Sequence, residues 1–409
     1  MDRRVERALD HLDRIGLTPL NSQQLLALAG DYRPEFMRGI DPRAKDSLGM
    51  TNTLLARSPR VLKSGTSALV VEVGDKFGAH GFRIDEDGGL KPEYGWEKGM
   101  STRFLGAEDF FNYTAQEVKA AVGERRNPDV VAVIYPYPGQ AISTGGSVDV
   151  ISDENLPKGA VIPGISHKPV GQTLVDNLFS QGVLKARVPV SAFGRAAAVL
   201  LGHPNSMIGA ELDTGLNIAV NWNGMIHDTN SGRFDKLPVP GYLRSYDQKS
   251  ERRWQIAEEQ IGGNDVSQQF ESLARTLING HFIENFGIRR PLTGRDIADL
   301  LNLDPGSSWT NLKRAGEDDL KILREGAQRL VSRSAQIFGA MIGAGAGLDP
   351  SLDHGAVVDI PVESSFFWGV EDYISNSTRV ASLVAGRQID FVQGDGPRGA
   401  ADLVLRQVA

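Results

Sequence analysis

The chain has 409 residues, a formal net charge of -7 and no cysteine, and 41% of its residues are hydrophobic. This length suits two or three globular domains, the missing cysteines exclude disulfides, thiolate catalysis and cysteine-ligated metal, and the negative charge argues against nucleic acid as a partner. Because no apolar run approaches roughly 18 residues and the N-terminus lacks the apolar core of a signal peptide, we expect a cytoplasmic protein with no membrane span.

The N-terminal part of the chain predicts helices followed by strands. Apolar residues at helical spacing indicate a helix over 5–15, and a shorter helix is expected over 21–28. Residues 50–62 have the composition of a connecting segment. The first strands are predicted over 66–73, 79–84 and near 102–105.

The middle of the chain alternates between helices and strands. Predicted helices cover 107–122, 170–179 and 192–201, the last entered through Ser191 as its cap, and predicted strands cover 129–135, 183–190 and 207–212. The strand over 129–135 is continuously apolar, which is typical of a central strand. This order matches the βββαβα unit of ribonuclease-H-like folds.

The rest of the chain predicts a second α/β lobe that is enlarged by helices. Its predicted strands cover 217–221, 225–229, 357–361 and 389–392. Its predicted helices cover 253–260, 265–279, 293–301, 318–342 and 399–408.

The glycine-rich run Gly343–Gly347 is not expected to bind phosphate. A phosphate-binding loop follows a strand and opens a helix, whereas this run ends a predicted helix, where glycine is a common cap. No Walker sequence, Gly-x-Ser-x-Gly elbow or His-x-x-x-His pair occurs, so the sequence indicates neither those catalytic motifs nor a zinc site.

Three glycine-containing turns follow predicted strands, at Gly74-Asp75-Lys76, at Asp213-Thr214-Gly215 and at 395–399. In this strand order they favour the duplicated fold of sugar kinases and actin. The chain resembles the hexokinase family over nearly its whole length. The segments that carry the resemblance are 69–83, 134–140, 156–159, 190–193, 212–217, 228–234, 257–263, 360–365 and 394–401.

These segments are similar to family motifs in their order. Residues 69–83 stand at the first phosphate turn, 134–140 and 156–159 at the sugar-binding segment, and 190–193 at the Asn-Asp-Thr of the catalytic turn. Residues 212–217 resemble the second phosphate turn Gly-Thr-Gly-x-Asn, and 228–234 resemble Asn-x-Glu-x-Gly-x-Phe.

The resemblance implies an α/β protein with the two-lobed actin/hexokinase-like ATPase fold, a duplicated ribonuclease-H-like core with a helix-enlarged C-terminal lobe. The small lobe would comprise 66–190 plus 398–409, and the large lobe 1–65 plus 191–397. The ligands implied are a hexose such as glucose and ATP with Mg²⁺.

The resemblance also implies the residues of the site. The sugar contacts would be Lys158, Ser191, Asn217, Asn230 and Glu258. The nucleotide contacts would be Gly74, Asp75, Lys76, Asp213, Thr214, Gly215, Glu363, Ser364 and Ser365.

The chain departs from the family pattern where the chemistry is expected. The aspartate of Asn-Asp-Thr is the family's general base, but its position falls on Ala192, and no carboxylate occurs between Val183 and His203. Loss of a positioned base typically costs ~10²–10⁴ in rate. Asp75 and Asp213 replace glycines at the phosphate turns, and each would repel a polyphosphate by roughly 1–4 kcal/mol.

Two functions follow from these departures. One is a catalytically impaired hexokinase relative, or a pseudoenzyme, that acts in sugar binding or regulation and has a protein partner. The alternative is an active sugar phosphotransferase with an altered substrate or with a relocated base, for which the sequence offers Glu211, Asp213 or Glu258.

Overall fold

The computed structural model describes most of the chain. The described residues are 3–40, 51–56, 61–74, 76–99, 104–124, 126–135, 139–141, 148–150, 162–165, 168–212, 215–237, 256–288, 291–302, 315–348 and 357–408.

The secondary-structure elements alternate along the chain. The strands are β1 (Thr51–Ala56), β2 (Ser67–Glu72), β3 (Lys76–Ile84), β4 (Leu90–Gly99), β5 (Val130–Ile134), β6 (Gly139–Ala141), β7 (Val148–Val150), β8 (Val190–Phe193), β9 (Ile208–Glu211), β10 (Asn217–Trp222), β11 (Met225–Asp228), β12 (Val358–Glu363) and β13 (Ile389–Gln393). The helices are α1 (Arg3–Arg14), α2 (Ser22–Ile40), α3 (Ala107–Val122), α4 (Val170–Ser180), α5 (Arg195–Leu201), α6 (Ile256–Ile261), α7 (Gly263–Asn279), α8 (Gly294–Asn302), α9 (Glu317–Ala346), α10 (Ser365–Gly369), α11 (Glu371–Ala385) and α12 (Gly396–Val408).

Two larger sheets have the same topology. The first has the order β4-β3-β2-β5-β8, and the second has the order β11-β10-β9-β12-β13 with β1 added beside β11. In both sheets the first three strands are antiparallel and the fourth and fifth join in parallel. This repetition confirms the predicted duplicated ribonuclease-H-like core.

Two helices form the contact between the sheets. Helix α5 packs on β9 and β10 of the second sheet, α12 packs on β2 and β5 of the first, and the two helices pack on each other. Their buried residues form one apolar cluster. The helices cross closely because Gly399 lacks a side chain: a Cβ there would lie 2.1 Å from the carbonyl oxygen of Ala198.

The glycines of the predicted C-cap run lie in and just after a long helix. Helix α9 continues through Ala346 and is capped by Gly347. A Cβ on Gly343 would lie 2.5 Å from the carbonyl oxygen of Ala381 on α11. The glycines therefore allow close packing of two helices, as well as ending one.

Several predicted boundaries are wrong. Residues 50–62 contain β1, and α2 runs on to Ile40 through Pro34. The third strand is β4 rather than a segment near 102–105, because most residues of β4 are exposed and it carries Pro92, which hid its pattern. The strand predicted over 183–190 begins only at Val190. Within the described residues, no helix has the length and apolarity needed to cross a membrane.

Candidate active site between the two lobes

The turn between β8 and α5 is a single residue. Strand β8 ends at Phe193 and α5 begins at Arg195, so Gly194 forms the turn and caps the helix. This corrects the sequence analysis, which placed the turn at 190–193 and used Ser191 as the helix cap. The strand is longer because it pairs in parallel with β5 as far as Phe193.

Ser191 and Ala192 therefore lie inside a strand and not at the turn. Both are 2% exposed, and the Ser191 hydroxyl donates to Oε1 of Gln407 on α12 over 2.8 Å. Ala192 belongs to the apolar core of the first lobe. The turn itself is Gly194, two residues after Ala192, and it carries no acid.

A carboxylate from the second sheet lies against this turn. Asp228 is the last residue of β11, and a Cβ on residue 194 would lie 2.5 Å from its Oδ2 atom. Its Oδ1 atom accepts a hydrogen bond from Nδ2 of Asn217 (2.7 Å) and one from the backbone N–H of Asn230 (3.3 Å). We call this group of residues the Asp228 side of the turn.

Hydroxyl groups support the loop that follows Asp228. Asn230 has φ 47°, a left-handed conformation that asparagine tolerates. The hydroxyl of Thr229 donates to the carbonyl oxygen of Ile218 over 2.7 Å, and the hydroxyls of Ser231 and Tyr32 are 2.6 Å apart. These buried contacts hold the Asn230 N–H toward Asp228.

Glu258 packs against glycines that neighbour Asn217 and Asn230 in the chain. It is a buried residue of α6, and its carboxylate packs against two glycines. A Cβ on Gly215 would lie 2.7 Å from Oε2 of Glu258, and one on Gly232 would lie 2.8 Å from the same atom. Asn217, Asn230, Glu258 and Gly215, which the sequence analysis selected, are therefore brought together by separate elements.

Burial perturbs two ionisable groups near the turn. Burial raises the pKa of Asp228, and the hydrogen bonds from Asn217 and Asn230 offset part of this change. Burial also raises the pKa of Tyr135, at the end of β5, well above its ordinary value, and the nearby Asp228 carboxylate adds to the effect. Asp228 is nonetheless only partly buried as a residue.

An arginine occupies the opposite side of the turn. Nη2 of Arg195 lies 3.2 Å from Oε1 of Glu72 at the end of β2, and Nη1 lies 3.1 Å from Oε1 of Glu363 at the end of β12. Glu363 also accepts the backbone N–H of Gly396 over 2.9 Å, and Glu72 lies 2.9 Å from Nε2 of His80. The guanidinium therefore links the two sheets; this is the Arg195 side of the turn.

The predicted nucleotide residues at the end of β12 are partly engaged in structure. The hydroxyl of Ser364 donates to the carbonyl oxygen of Leu212 (2.5 Å) and accepts the N–H of Phe367 (2.8 Å), so it caps α10 and joins β12 to the end of β9. Ser365 is exposed, and Gly74 lies two residues after Glu72.

Other predicted site residues lie outside the described structure or are described only in part. Lys158, Asp75, Asp213 and Thr214 lie outside the described residues. Lys76 is described only as the first backbone position of β3. Of the three proposed alternative bases, Glu211 ends β9 in register with Asn217, and Glu258 packs against Gly215 and Gly232.

Sequence reasoning missed Asp228, Arg195 and Glu72 as members of the site. Two of them carried a signal: Glu72 interrupts the apolar run of β2, and Arg195 opens a helix whose other residues are alanine, valine and leucine. Asp228 carried one weak signal in the sequence: it ends a predicted strand region, at the position where the motif Asn-x-Glu-x-Gly-x-Phe has asparagine.

Comparisons with solved structures identify the fold. A hexokinase from Schistosoma mansoni complexed with glucose superposes with a TM-score of 0.81 at 13% identity, covering 99% of both chains. The chain has the hexokinase fold. A second hexokinase crystal structure gives a TM-score of 0.76 at 17% identity over 99% of this chain and 100% of that one.

A third solved structure is similar over a smaller part of this chain. A ROK family glucokinase from Streptomyces griseus, in complex with glucose and AMPPNP, gives a TM-score of 0.51 at 15% identity, covering 83% of this chain and 98% of that one. No protein-family sequence model and no curated protein sequence matches the chain.

Proposed function

We propose that this chain is a member of the hexokinase family that binds a hexose in the cleft on the Asp228 side of the turn. The observation that carries the proposal is that Asn217 and Asn230 both donate to the Asp228 carboxylate, while Glu258 packs against Gly215 and Gly232, each two residues from one of these asparagines. Amide and carboxylate groups at the end of a cleft are suited to sugar hydroxyls, which both donate and accept hydrogen bonds. Glucose in the Schistosoma mansoni hexokinase complex supports this ligand class.

Titration calorimetry with D-glucose tests the proposal. We expect binding by the wild-type chain and at least tenfold weaker binding by Glu258→Gln, because a buried carboxylate contributes strong hydrogen bonds. Glu371→Gln, an exposed glutamate at the start of α11, is the matched control and keeps wild-type affinity. Equal affinity in the two variants contradicts a hexose site at Glu258.

What happens to the bound sugar divides two candidate functions. The first is sugar binding or regulation with impaired phosphoryl transfer, in which the chain acts on a protein partner. It is favoured by Ala192 at the expected position of the base, by the absence of a carboxylate between Val183 and His203, and by the acidic residues Asp75 and Asp213 in the phosphate turns. A protein of this kind binds hexose but releases no ADP from ATP.

The second candidate function is ATP-dependent phosphorylation of the hexose. A specific observation favours it: although no acid lies on the turn, the carboxylate of Asp228 lies against Gly194. The Arg195 side has donor groups that fit a magnesium nucleotide, since Mg²⁺ prefers oxygen ligands such as Glu72 and Glu363 and guanidinium groups bind phosphate. Magnesium would neutralise phosphate charge there. Arg195 would bind a phosphate oxygen in place of one of its two carboxylate partners, Glu72 or Glu363.

A coupled assay separates the two candidates. Hexose-dependent ADP release with Mg-ATP supports the second candidate function. Hexose binding by calorimetry without any ADP release supports the first.

A further inference from the structure

We propose that Asp228 is the general base of this chain, supplied by β11 in place of the acid that the turn before α5 lacks. The inference rests on the second candidate function, hexose phosphorylation. It differs from the sequence-based alternatives, which placed a relocated base at Glu211, Asp213 or Glu258.

A side chain at residue 194 would displace the Asp228 carboxylate from its place at the turn. A Cβ at residue 194 would lie only 2.5 Å from Oδ2 of Asp228, closer than such atoms approach in proteins. The backbone of Gly194 has φ -69° and ψ 157°, which any residue adopts, so the backbone does not require glycine there. Glycine at this position therefore makes room for the carboxylate.

The two oxygens of the Asp228 carboxylate differ in their hydrogen bonds. Oδ1 accepts both hydrogen bonds, from Nδ2 of Asn217 and from the N–H of Asn230. Within the described residues, no hydrogen bond is made to Oδ2, the atom that lies at Gly194. Asn217 and Asn230 thus fix the orientation of the carboxylate and leave one oxygen available to accept a proton.

The environment of the Asp228 carboxylate also suits a base. Asp228 is partly exposed, and burial raises its pKa toward the range in which a carboxylate is a better base. The alternative Glu258 packs with its carboxylate against Gly215 and Gly232 instead of the turn. Asp228 is also placed between the two halves of the reaction, since Gly194 is followed directly by Arg195 and its contacts to Glu72 and Glu363.

In the proposed step, Asp228 accepts a proton while a phosphoryl group is transferred to the hexose. A hexose hydroxyl in the cleft transfers its proton to Oδ2 of Asp228 as its oxygen forms a bond to the γ-phosphorus of a nucleoside triphosphate. The bond between that phosphorus and the bridging oxygen breaks, and its electron pair leaves on the nucleoside diphosphate. Asp228 then returns the proton to solvent.

Steady-state assays of ADP release with Mg-ATP and saturating D-glucose, D-mannose or D-fructose test the proposal. For Asp228→Asn we expect kcat to fall by about 10²–10⁴, the usual contribution of a positioned base, with sugar affinity within about threefold of wild type. The amide keeps the shape of the side chain and an oxygen for Asn217. Asp359→Asn, which alters an exposed aspartate on β12, is the matched control and keeps wild-type kcat.

The pH profile distinguishes a base from a group that only positions other residues. Wild-type kcat is expected to fall in acid as Asp228 becomes protonated, and Asp228→Asn loses this acid limb. The titratable group that faces Asp228 from β5 is Tyr135, which stays neutral because its pKa is raised, and Asn217 and Asn230 carry no charge. An acid limb that persists in Asp228→Asn overturns the proposal.

Moving the acid back to the turn provides a second variant. In Gly194→Asp/Asp228→Ala the truncated residue 228 leaves space for a side chain at 194, so we expect at least a tenfold higher kcat than in Asp228→Ala alone. A double variant no faster than Asp228→Ala contradicts the equivalence of the two positions.

The assays distinguish an error about the role of Asp228 from an error about hexose phosphorylation itself. A wild-type chain that releases no ADP with any of the three hexoses overturns phosphorylation and the base together. A wild-type chain that is active, with Asp228→Asn within threefold of its kcat, overturns the role of Asp228 alone.

Discussion

The two sides of Gly194 lie one residue apart in the chain and handle charge differently. On the Asp228 side, one carboxylate is held by neutral amide groups from Asn217 and Asn230, and its other oxygen lies at Gly194. On the Arg195 side, one guanidinium is shared by Glu72 and Glu363, and it joins the ends of β2 and β12. The first arrangement leaves a group that can react, and the second connects the lobes.

The comparison predicts different consequences for stability and for ligand binding. An ion pair that is removed from water is strongly destabilising when one partner is lost, because the other charge stays buried. A carboxylate that is held only by neutral groups is itself a desolvated charge, so its loss relieves an unfavourable term.

The largest expected effect is on the Arg195 side. The Arg195 side chain is 11% exposed and that of Glu72 only 3%, so Arg195→Ala leaves a buried carboxylate without its guanidinium. We expect the free energy of unfolding to fall by about 3–5 kcal/mol, measured by urea denaturation. Arg398→Ala, an exposed arginine in α12, is the control and changes it by no more than about 0.5 kcal/mol. A loss below 1 kcal/mol for Arg195→Ala, roughly the value of a surface pair, would remove the distinction between the two sides.

An intermediate effect is expected at the glycines around Glu258. In Gly232→Ala the new Cβ would lie 2.8 Å from Oε2 of Glu258 and 3.1 Å from the carbonyl oxygen of Leu216. The glutamate must shift, so we expect hexose affinity to fall by about tenfold and the free energy of unfolding by about 1–3 kcal/mol. Calorimetry and denaturation measure the two quantities. Gly369→Ala, where a Cβ meets nothing within 4 Å, is the control, and equal affinity in both variants would show that the cleft does not depend on Glu258.

The smallest effect is a gain in stability on the Asp228 side. Burial raises the pKa of Asp228 in the folded protein, so folding is opposed by its ionised form and not by its protonated form. Asp228→Asn should therefore be more stable than wild type at neutral pH. The gain should shrink as the pH falls from the raised pKa to below the ordinary pKa of aspartate, where wild type is protonated in both states.

Thermal unfolding of the two proteins across this pH range measures the difference. Asp359→Asn, which alters an exposed aspartate on β12, serves as the control. If Asp228→Asn is less stable than wild type at neutral pH, the ionised Asp228 carboxylate stabilises the fold. That result would conflict with a residue that serves only as a general base.

Local sequence patterns predicted most of the fold. Helix α3 has the predicted bounds of 107–122, and β5 lies within the predicted strand over 129–135. These elements show strong periodicity or a continuous apolar run, and their burial follows from that pattern. Strand β4 was missed because exposure of one face weakens the apolar signal, and the end of β8 was misplaced because an alanine-rich segment suits helix as well as strand.

The candidate site was predictable only where each residue sat in a recognisable motif. Asn217, Asn230 and Glu258 were selected from separate segments, and the structure brings them together; their sugar-binding roles stay predictions. Asp228 was not selected, because its distance from Gly194 depends on how β11 of one sheet meets β8 of the other.

The sequence by itself determined the order of strands and helices, and through that order the duplicated fold, because secondary structure and burial follow from local apolar spacing. It also determined that no acid lies near the turn in the chain. Only the tertiary structure decided that a carboxylate lies there in space, because Gly194 follows a strand of the first sheet and Asp228 ends a strand of the second. The end of β8 lacks an acid, and β11 supplies one because packing between the two sheets brings these strand ends together.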